Sequence, residues 1–282
     1  MRDTRVEQAR AFAPGNISCI FKIVADPNPA RMHSLGMGFT VSHGVEATVR
    51  HADRTTVRFN SRQIQFPTVT SVLQKLTSEP IDIELESRLQ LSAGFGLSGA
   101  STLAVAWAVN ALLALGKSEH ELAMIAHVAE VENLTGLGDV CAQYHGGCLV
   151  KLKVGDPLAA DRLAVPDQDI YYRYFGPIRT SAVLADPEQR HRINKAADAA
   201  LLGLEQIAGL DTIDFDACVR LSSVFAKDSG LLEDERVKLV IQEVDAAGGS
   251  ASMIMLGHAV FSTRQFEGAE QTRLGIHSVR VL

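Results

Sequence analysis

The chain has 282 residues, 46% hydrophobic and 21% charged, a composition that excludes intrinsic disorder and allows one large folded core or two modest ones. Its 27 Lys and Arg against 33 Asp and Glu leave a net charge of -6, which excludes a general basic field for nucleic acid or an anionic membrane. A small-molecule ligand is the expected partner.

The opening MRDTRVEQARAF lacks the apolar core of a signal peptide, and Cys19, Cys141, Cys148 and Cys218 form no CxxC pair. Free thiols in a cytoplasmic protein are therefore expected, and the Asn16-Ile-Ser and Asn133-Leu-Thr triplets are read as structural, without sugar. Apolar, β-branched runs at 17–24, 39–49 and 81–85 predict strands, and those at 99–115 and 119–134 predict helices. The 99–115 run is too short and too interrupted by Ser101, Thr102 and Asn110 to span a bilayer, so it reads as a buried helix. Trp107, Val105 and Val109 within it read as core. After an apolar run at 148–154 and a turn at 153–158 come an extended run at 170–175, three helices at about 187–208, 214–227 and 234–246, and short closing strands. The fold class is therefore α+β: a mixed N-terminal α/β domain over 1–155, then strands and helices over 156–282.

The most informative segment is the turn Ser92-Ala-Gly-Phe-Gly-Leu-Ser-Gly-Ala-Ser-Thr102, placed between an extended run and the apolar helix. Glycines bring backbone N–H groups close to a ligand, and a helix N-terminus adds a positive dipole, so anion binding follows. Gly94, Gly96 and Gly99 also satisfy GxGxxG. The dinucleotide reading nevertheless needs an acidic residue ending a second strand about 20 positions on, where Glu119 and Glu121 begin a helix instead. A P-loop fails because Ala100 and Ser101 stand where Lys and Ser or Thr are required. Glycine used purely for tight helix packing remains the alternative.

Leu122, Ala126 and Glu130 share one helical stripe, with Glu132 on nearly the opposite side. A carboxylate on a buried stripe needs a partner, and a metal ion would serve. The turn Thr135-Gly-Leu-Gly-Asp139 brings a second carboxylate to the start of another helical segment, where Asp139 could equally be an N-cap. Ser98 has the same alternative at its own helix. The nine histidines show no HExxH spacing, so no zinc is expected. His127, three residues before Glu130, reads equally well as a helix-surface residue.

Three blocks together resemble the GHMP kinase superfamily: Ala11-Phe-Ala-Pro-Gly-Asn-Ile-Ser18, Gly94-Phe-Gly-Leu-Ser-Gly-Ala100 and Ala247-Gly-Gly-Ser-Ala-Ser-Met253. Within it, GFGLSGAS, AEVENLTGLGDVCAQYHGG, GPIRTSAVL and ASMIMLGHAVFS are similar to stretches of the archaeal pantoate kinases. The resemblance implies a two-domain GHMP fold whose C-terminal domain is an antiparallel sheet with helices. It also implies ATP- and Mg2+-dependent phosphorylation of the primary hydroxyl of pantoate in coenzyme A biosynthesis, and, by analogy, a homodimer. Carried over, Gly94, Phe95, Gly96, Leu97, Ser98, Gly99, Ala100 and Ser101 hold ATP, Ser98 and Glu130 ligate magnesium, and Asp139 is the catalytic aspartate. Pro14, Gly15, Asn16, Ser34, Lys151, Thr180 and Ser250 are the implied substrate residues. These roles suit phosphoryl transfer, which asks mainly for placement and charge neutralisation.

The chain departs from the pattern at three places: Asn16 where His is common, Leu35 where Arg is common, and Lys151 where Arg is common. Lys151 keeps the charge without the bidentate fork of Arg, and Leu35 keeps neither. Arg31, His33 and Arg179 lie near enough in sequence to compensate. The departures leave open a GHMP kinase acting on mevalonate or homoserine, or a GHMP-fold regulator that binds without catalysis.

Overall fold

A computed structural model describes residues 6–210 and 212–282. Two long strands dominate it, β1 (Gln8–Val24) and β2 (His33–His51), paired antiparallel along their whole length. Extended structure was expected only at 17–24 and 39–49, and the strands run beyond both ranges. The strands absorb Pro14 and the glycines at irregularities, between Pro14 and Gly15 and between Ser18 and Ile20, where a proline without an N–H is tolerated. The Pro-Gly block therefore lies within β1.

Beyond β2 come the short strands β3 (Thr56–Phe59) and β4 (Arg62–Gln63), then helix α1 (Pro67–Leu76) and β5 (Ile81–Glu86). The apolar helix is α2 (Leu97–Leu112), followed by α3 (Glu119–Glu132), the short α4 (Asp139–His145) and β6 (Cys148–Lys151). The second half holds β7 (Asp161–Leu163), β8 (Gln168–Pro177), α5 (Thr180–Ala185), α6 (Pro187–Ala208), α7 (Phe215–Asp228), α8 (Glu235–Ala246), β9 (Ala251–Met253), β10 (Gly257–Ser262), β11 (Glu270–Leu274) and β12 (Arg280–Val281). The spine of the sheet runs β4-β3-β5-β2-β11-β8-β10-β9, with β1 and β6 also paired to β2. In the second half every pairing among β8 to β11 is antiparallel, as expected for a sheet backed by helices. Residue 155 falls in the turn between β6 and β7, and these two strands pair.

Burial follows sequence pattern closely. From Leu97 to Val109 every α2 residue except Ser98 is buried, because the helix lies between the β1–β2 ribbon and α1, α3 and α4. Trp107, Val105 and Val109 are core. Ser118 and Glu121 close a capping box at the start of α3, the role that Glu121 plays instead of holding a dinucleotide ribose. All four cysteines are buried and unpaired. No helix among the described residues is long and apolar enough to cross a membrane. Leu103 on α2 is fully buried in the core, so Leu103→Ala is expected to cost about 2–5 kcal/mol in denaturant unfolding.

Candidate active site

The loop Gly94–Gly96 enters α2 through backbone that side chains resist. Gly94 has φ +85° and Gly96 φ +60°; a Cβ on Gly94 would stand 2.6 Å from the Met255 carbonyl oxygen, and one on Gly96 2.9 Å from Asp139 Cγ. Gly96 is itself the N-cap of α2 and offers no side chain to the first amides, which leaves those N–H groups for a ligand. The Gly96 carbonyl is held from behind by Gln143 Nε2 at 2.8 Å and by the Ala100 amide at 3.0 Å. Phe95 is buried edge-to-face on Tyr172 of β8, which ties the loop to the second half of the chain.

A cleft of about 320 Å³ opens in front of this loop, lined by Gly94 to Ser98, the 135–139 turn, Ser18, Ser34, Arg179, Thr180, Met255 and Leu256. A smaller pocket of about 50 Å³ adjoins it and shares Ser18, Phe21, Ser34 and Gly138. Asn16, Leu35, Gly38 and Lys151 complete that pocket, and Lys151 is the one charged side chain lining it among the described residues. Its ammonium donates to the Asp156 carbonyl, and burial lowers its pKa.

Asp139 lines the larger cleft, next to Gly138 and bonded to Ser18, two residues that both spaces share. It is the first residue of α4, and Gly138, not Asp139, occupies the N-cap. The carboxylate turns instead to β1, where its Oδ1 accepts from Asn16 Nδ2 at 2.7 Å and from Ser18 Oγ at 3.1 Å. Ser98 likewise does not cap its helix. It donates to Glu130 Oε1 at 2.6 Å and lies 3.1 Å from Thr68 Oγ1 of α1. Glu130 is 1% exposed and its Oε2 has no partner. That oxygen and Asp139 Oδ2 converge on Gly136, where a Cβ would be 3.2 Å from one and 3.3 Å from the other. Burial pushes the Glu130 carboxyl up to about 7, with the charge of Asp139 adding to it and Ser98 opposing. Burial also raises Asp139, against the pull of Asn16 and Ser18.

The structure gathers some of the sequence-predicted residues and disperses others. Gly94, Phe95, Gly96, Leu97, Ser98, Asn16, Ser34, Glu130, Asp139, Lys151 and Thr180 all lie in or against the two spaces. Ala100 and Ser101 are buried inside α2, with Ser101 Oγ spent on the Leu97 carbonyl, and Gly99 faces Gln143. Pro14 pairs with Gly44 in the ribbon and Gly15 packs on Leu89, so of that block Asn16 and Ser18 are the residues that reach the site. Ser250 lines neither space: it accepts from Arg220 and begins the approach to β9, while the wall of the cleft comes from Met255 and Leu256 just beyond it. Arg31 pairs with Asp26, and His33 is buried against the Arg31 carbonyl, whereas Arg179 does line the cleft. His127 is 1% exposed and bonded to the Met32 carbonyl, so the helix-surface reading is corrected to a core one; burial lowers it to about 4. Thr68, Ser18 and Gln143 are the residues that sequence reasoning did not single out.

Residues 65–147 match the family of GHMP kinases, N terminal domain. The chain is 29% identical over 265 residues to a pantoate kinase of Methanocaldococcus jannaschii, covering 92% of this chain and 94% of that one. It is 30% identical over 260 residues to a pantoate kinase of Methanospirillum hungatei, covering 89% and 86%. A solved structure described as a phosphotransferase related to the CoA biosynthesis pathway superposes with a TM-score of 0.84 at 25% identity, covering 97% and 98% of the two chains.

The Glu130 environment sets a pH dependence. Its folded pKa lies above the unfolded one, so between about 4.5 and about 7 the folded chain keeps a proton that the unfolded chain has lost, and stability falls as pH rises through that window. In chelator-treated buffer, Glu130→Gln is expected to gain melting temperature relative to wild type between about pH 5 and about pH 8, where an unchanging difference would contradict the assignment.

Proposed function

Since the chain belongs to the GHMP kinase family, we propose that it transfers the γ-phosphoryl group of ATP to the primary hydroxyl of pantoate, giving 4-phosphopantoate and ADP. The observation that carries this reading is that two adjoining spaces share Ser18 and Gly138, the residues beside Asp139, one space floored by a glycine loop and the other holding a single ammonium. The first suits a polyphosphate and the second a small carboxylic acid. The proposal takes 1–155 as the ATP-binding domain of a cytoplasmic enzyme and 156–282 as its partner domain.

In the reaction the acceptor oxygen attacks the γ-phosphorus, the bond from that phosphorus to the β–γ bridging oxygen breaks, and the hydroxyl proton passes to Asp139 Oδ2. Asn16 and Ser18 hold Oδ1, so Oδ2 is the oxygen left for the acceptor. The Leu97 to Gly99 amides and the α2 dipole receive the phosphates, and Lys151 releases Asp156 to take the acceptor carboxylate. Glu130 and Ser98 fit a magnesium ion, because Glu130 Oε2 is a buried hard oxygen without a partner beside the phosphate loop. When bound, the ion supplies charge neutralisation on the phosphate oxygens. Gln143 and Phe95 keep the loop in place while this happens.

Steady-state kinetics with pantoate, mevalonate and homoserine as acceptors test the substrate. Turnover of pantoate well above the other two is expected, and preferential turnover of either rival would transfer the reading to that acceptor. Asp139→Asn is expected to lower kcat by about 10²–10⁴ while leaving ATP affinity within about threefold, and full activity in this variant would end the mechanism. Lys151→Met should raise the KM for pantoate by roughly 10–100-fold with little change in the KM for ATP, as loss of a charged hydrogen bond requires.

A further inference from the structure

Asn16 is 1% exposed and sits at the centre of three attachments. Its backbone amide donates to the Phe95 carbonyl at 2.9 Å, and its side-chain Nδ2 donates to Asp139 Oδ1 at 2.7 Å and approaches Ser18 Oγ at 3.2 Å. These contacts fix which way the amide faces. Turning it over would set Oδ1 2.7 Å from a carboxylate oxygen, acceptor against acceptor, with nothing gained. Oδ1 therefore points away from Asp139, and there it is buried with no hydrogen-bond partner. A Cβ on Gly38 would stand 3.4 Å from it. Gly38 carries none, and both Asn16 and Gly38 line the smaller pocket. Two donors on that pocket's wall are directed elsewhere, Ser18 to Asp139 and Lys151 to the Asp156 carbonyl. A buried amide oxygen left this way costs free energy unless a ligand brings a donor.

We propose that Asn16 Oδ1 receives the secondary hydroxyl of the acceptor substrate and so makes this site specific for a 2-hydroxy acid. The inference rests on pantoate being the acceptor. Pantoate has its primary hydroxyl at one end and, at the other, a carboxylate whose neighbouring carbon bears a second hydroxyl. With the first at Asp139 and the carboxylate at Lys151, the second hydroxyl lies between them, on the side of the pocket where Asn16 stands. An amide oxygen accepts from a hydroxyl and offers nothing to a bare methylene, so one side chain both steadies Asp139 and selects the substrate.

The test compares pantoate with 4-hydroxy-3,3-dimethylbutanoate, which lacks only the secondary hydroxyl, in wild type and in Asn16→Ala. Wild type is expected to favour pantoate by about 10–100-fold in kcat/KM. In Asn16→Ala both substrates slow, because Asp139 loses a donor, but their ratio falls to within about threefold. That collapse is something a purely structural role for Asn16 does not produce. Near-equal use of both acids by wild type, or a preference that survives Asn16→Ala undiminished, would overturn the proposal and leave Oδ1 to a buried water. Asn16→Ser provides the same comparison if the alanine variant does not fold. Failure of wild type to phosphorylate pantoate at all would instead refute the acceptor assignment, so the two failures are distinct.

Discussion

The site depends on one carboxylate held by one of its two oxygens. Asp139 Oδ1 is tied to Asn16 and Ser18 on β1, and that pair of bonds fixes the start of α4 against the central ribbon. One turn later on the same helix, Gln143 holds the Gly96 carbonyl of the phosphate loop. The Asn16 backbone closes the circuit by donating to Phe95, the residue next to Gly96. A seven-residue helix thus sets the separation between Asp139 and the glycine loop. Phosphoryl transfer gains most of its rate from such placement, and here placement comes from hydrogen bonds that join residues more than 120 positions apart.

The arrangement carries a cost in charge. Glu130 and Asp139 are both raised by burial, and their free oxygens face the same gap beside Gly136. Neighbouring carboxylates shielded from water destabilise the chain by themselves, and a divalent cation, if bound as proposed, would relieve them. The same charge that weakens the empty fold thereby favours the loaded one, a relation that ligand linkage makes general. The smaller pocket balances it with one ammonium, whose present partner is only a backbone carbonyl.

Much of this was legible in the sequence, for physical reasons that differ from element to element. The helices from 187 onwards follow plain periodicity with Asp186 and Asp234 as caps, and the apolar run behind the glycine loop has no reading other than a buried helix. Glu130 on an apolar stripe signalled a carboxylate with a purpose. The length of β1 and β2 was hidden, because Gly15, Gly36, Gly38 and Gly44 look like turns until two strands are seen to need their lack of side chains. Helix α1 was missed although Pro67 and the spacing of Val69, Val72, Leu73 and Leu76 announce it, and with it went Thr68, the neighbour of Ser98. Ser18 and Gln143 could not be found from spacing, since their roles exist only across the fold. Ser250 was misplaced for a related reason: the glycine block caps α8, and the chain reaches the cleft several residues later, at Met255.

In the proposed mechanism, Asp139 and the glycine loop meet over a primary hydroxyl while the other end of the acceptor is held at Lys151. Phosphorus–proton correlation NMR on the product made from ATP, Mg2+ and pantoate tests this directly, because it reports which oxygen received the phosphoryl group. Phosphorus coupled to the methylene protons of the terminal carbon is the expected result. Coupling to the methine proton beside the carboxylate, or ADP formed with no phosphorylated acid, would contradict it.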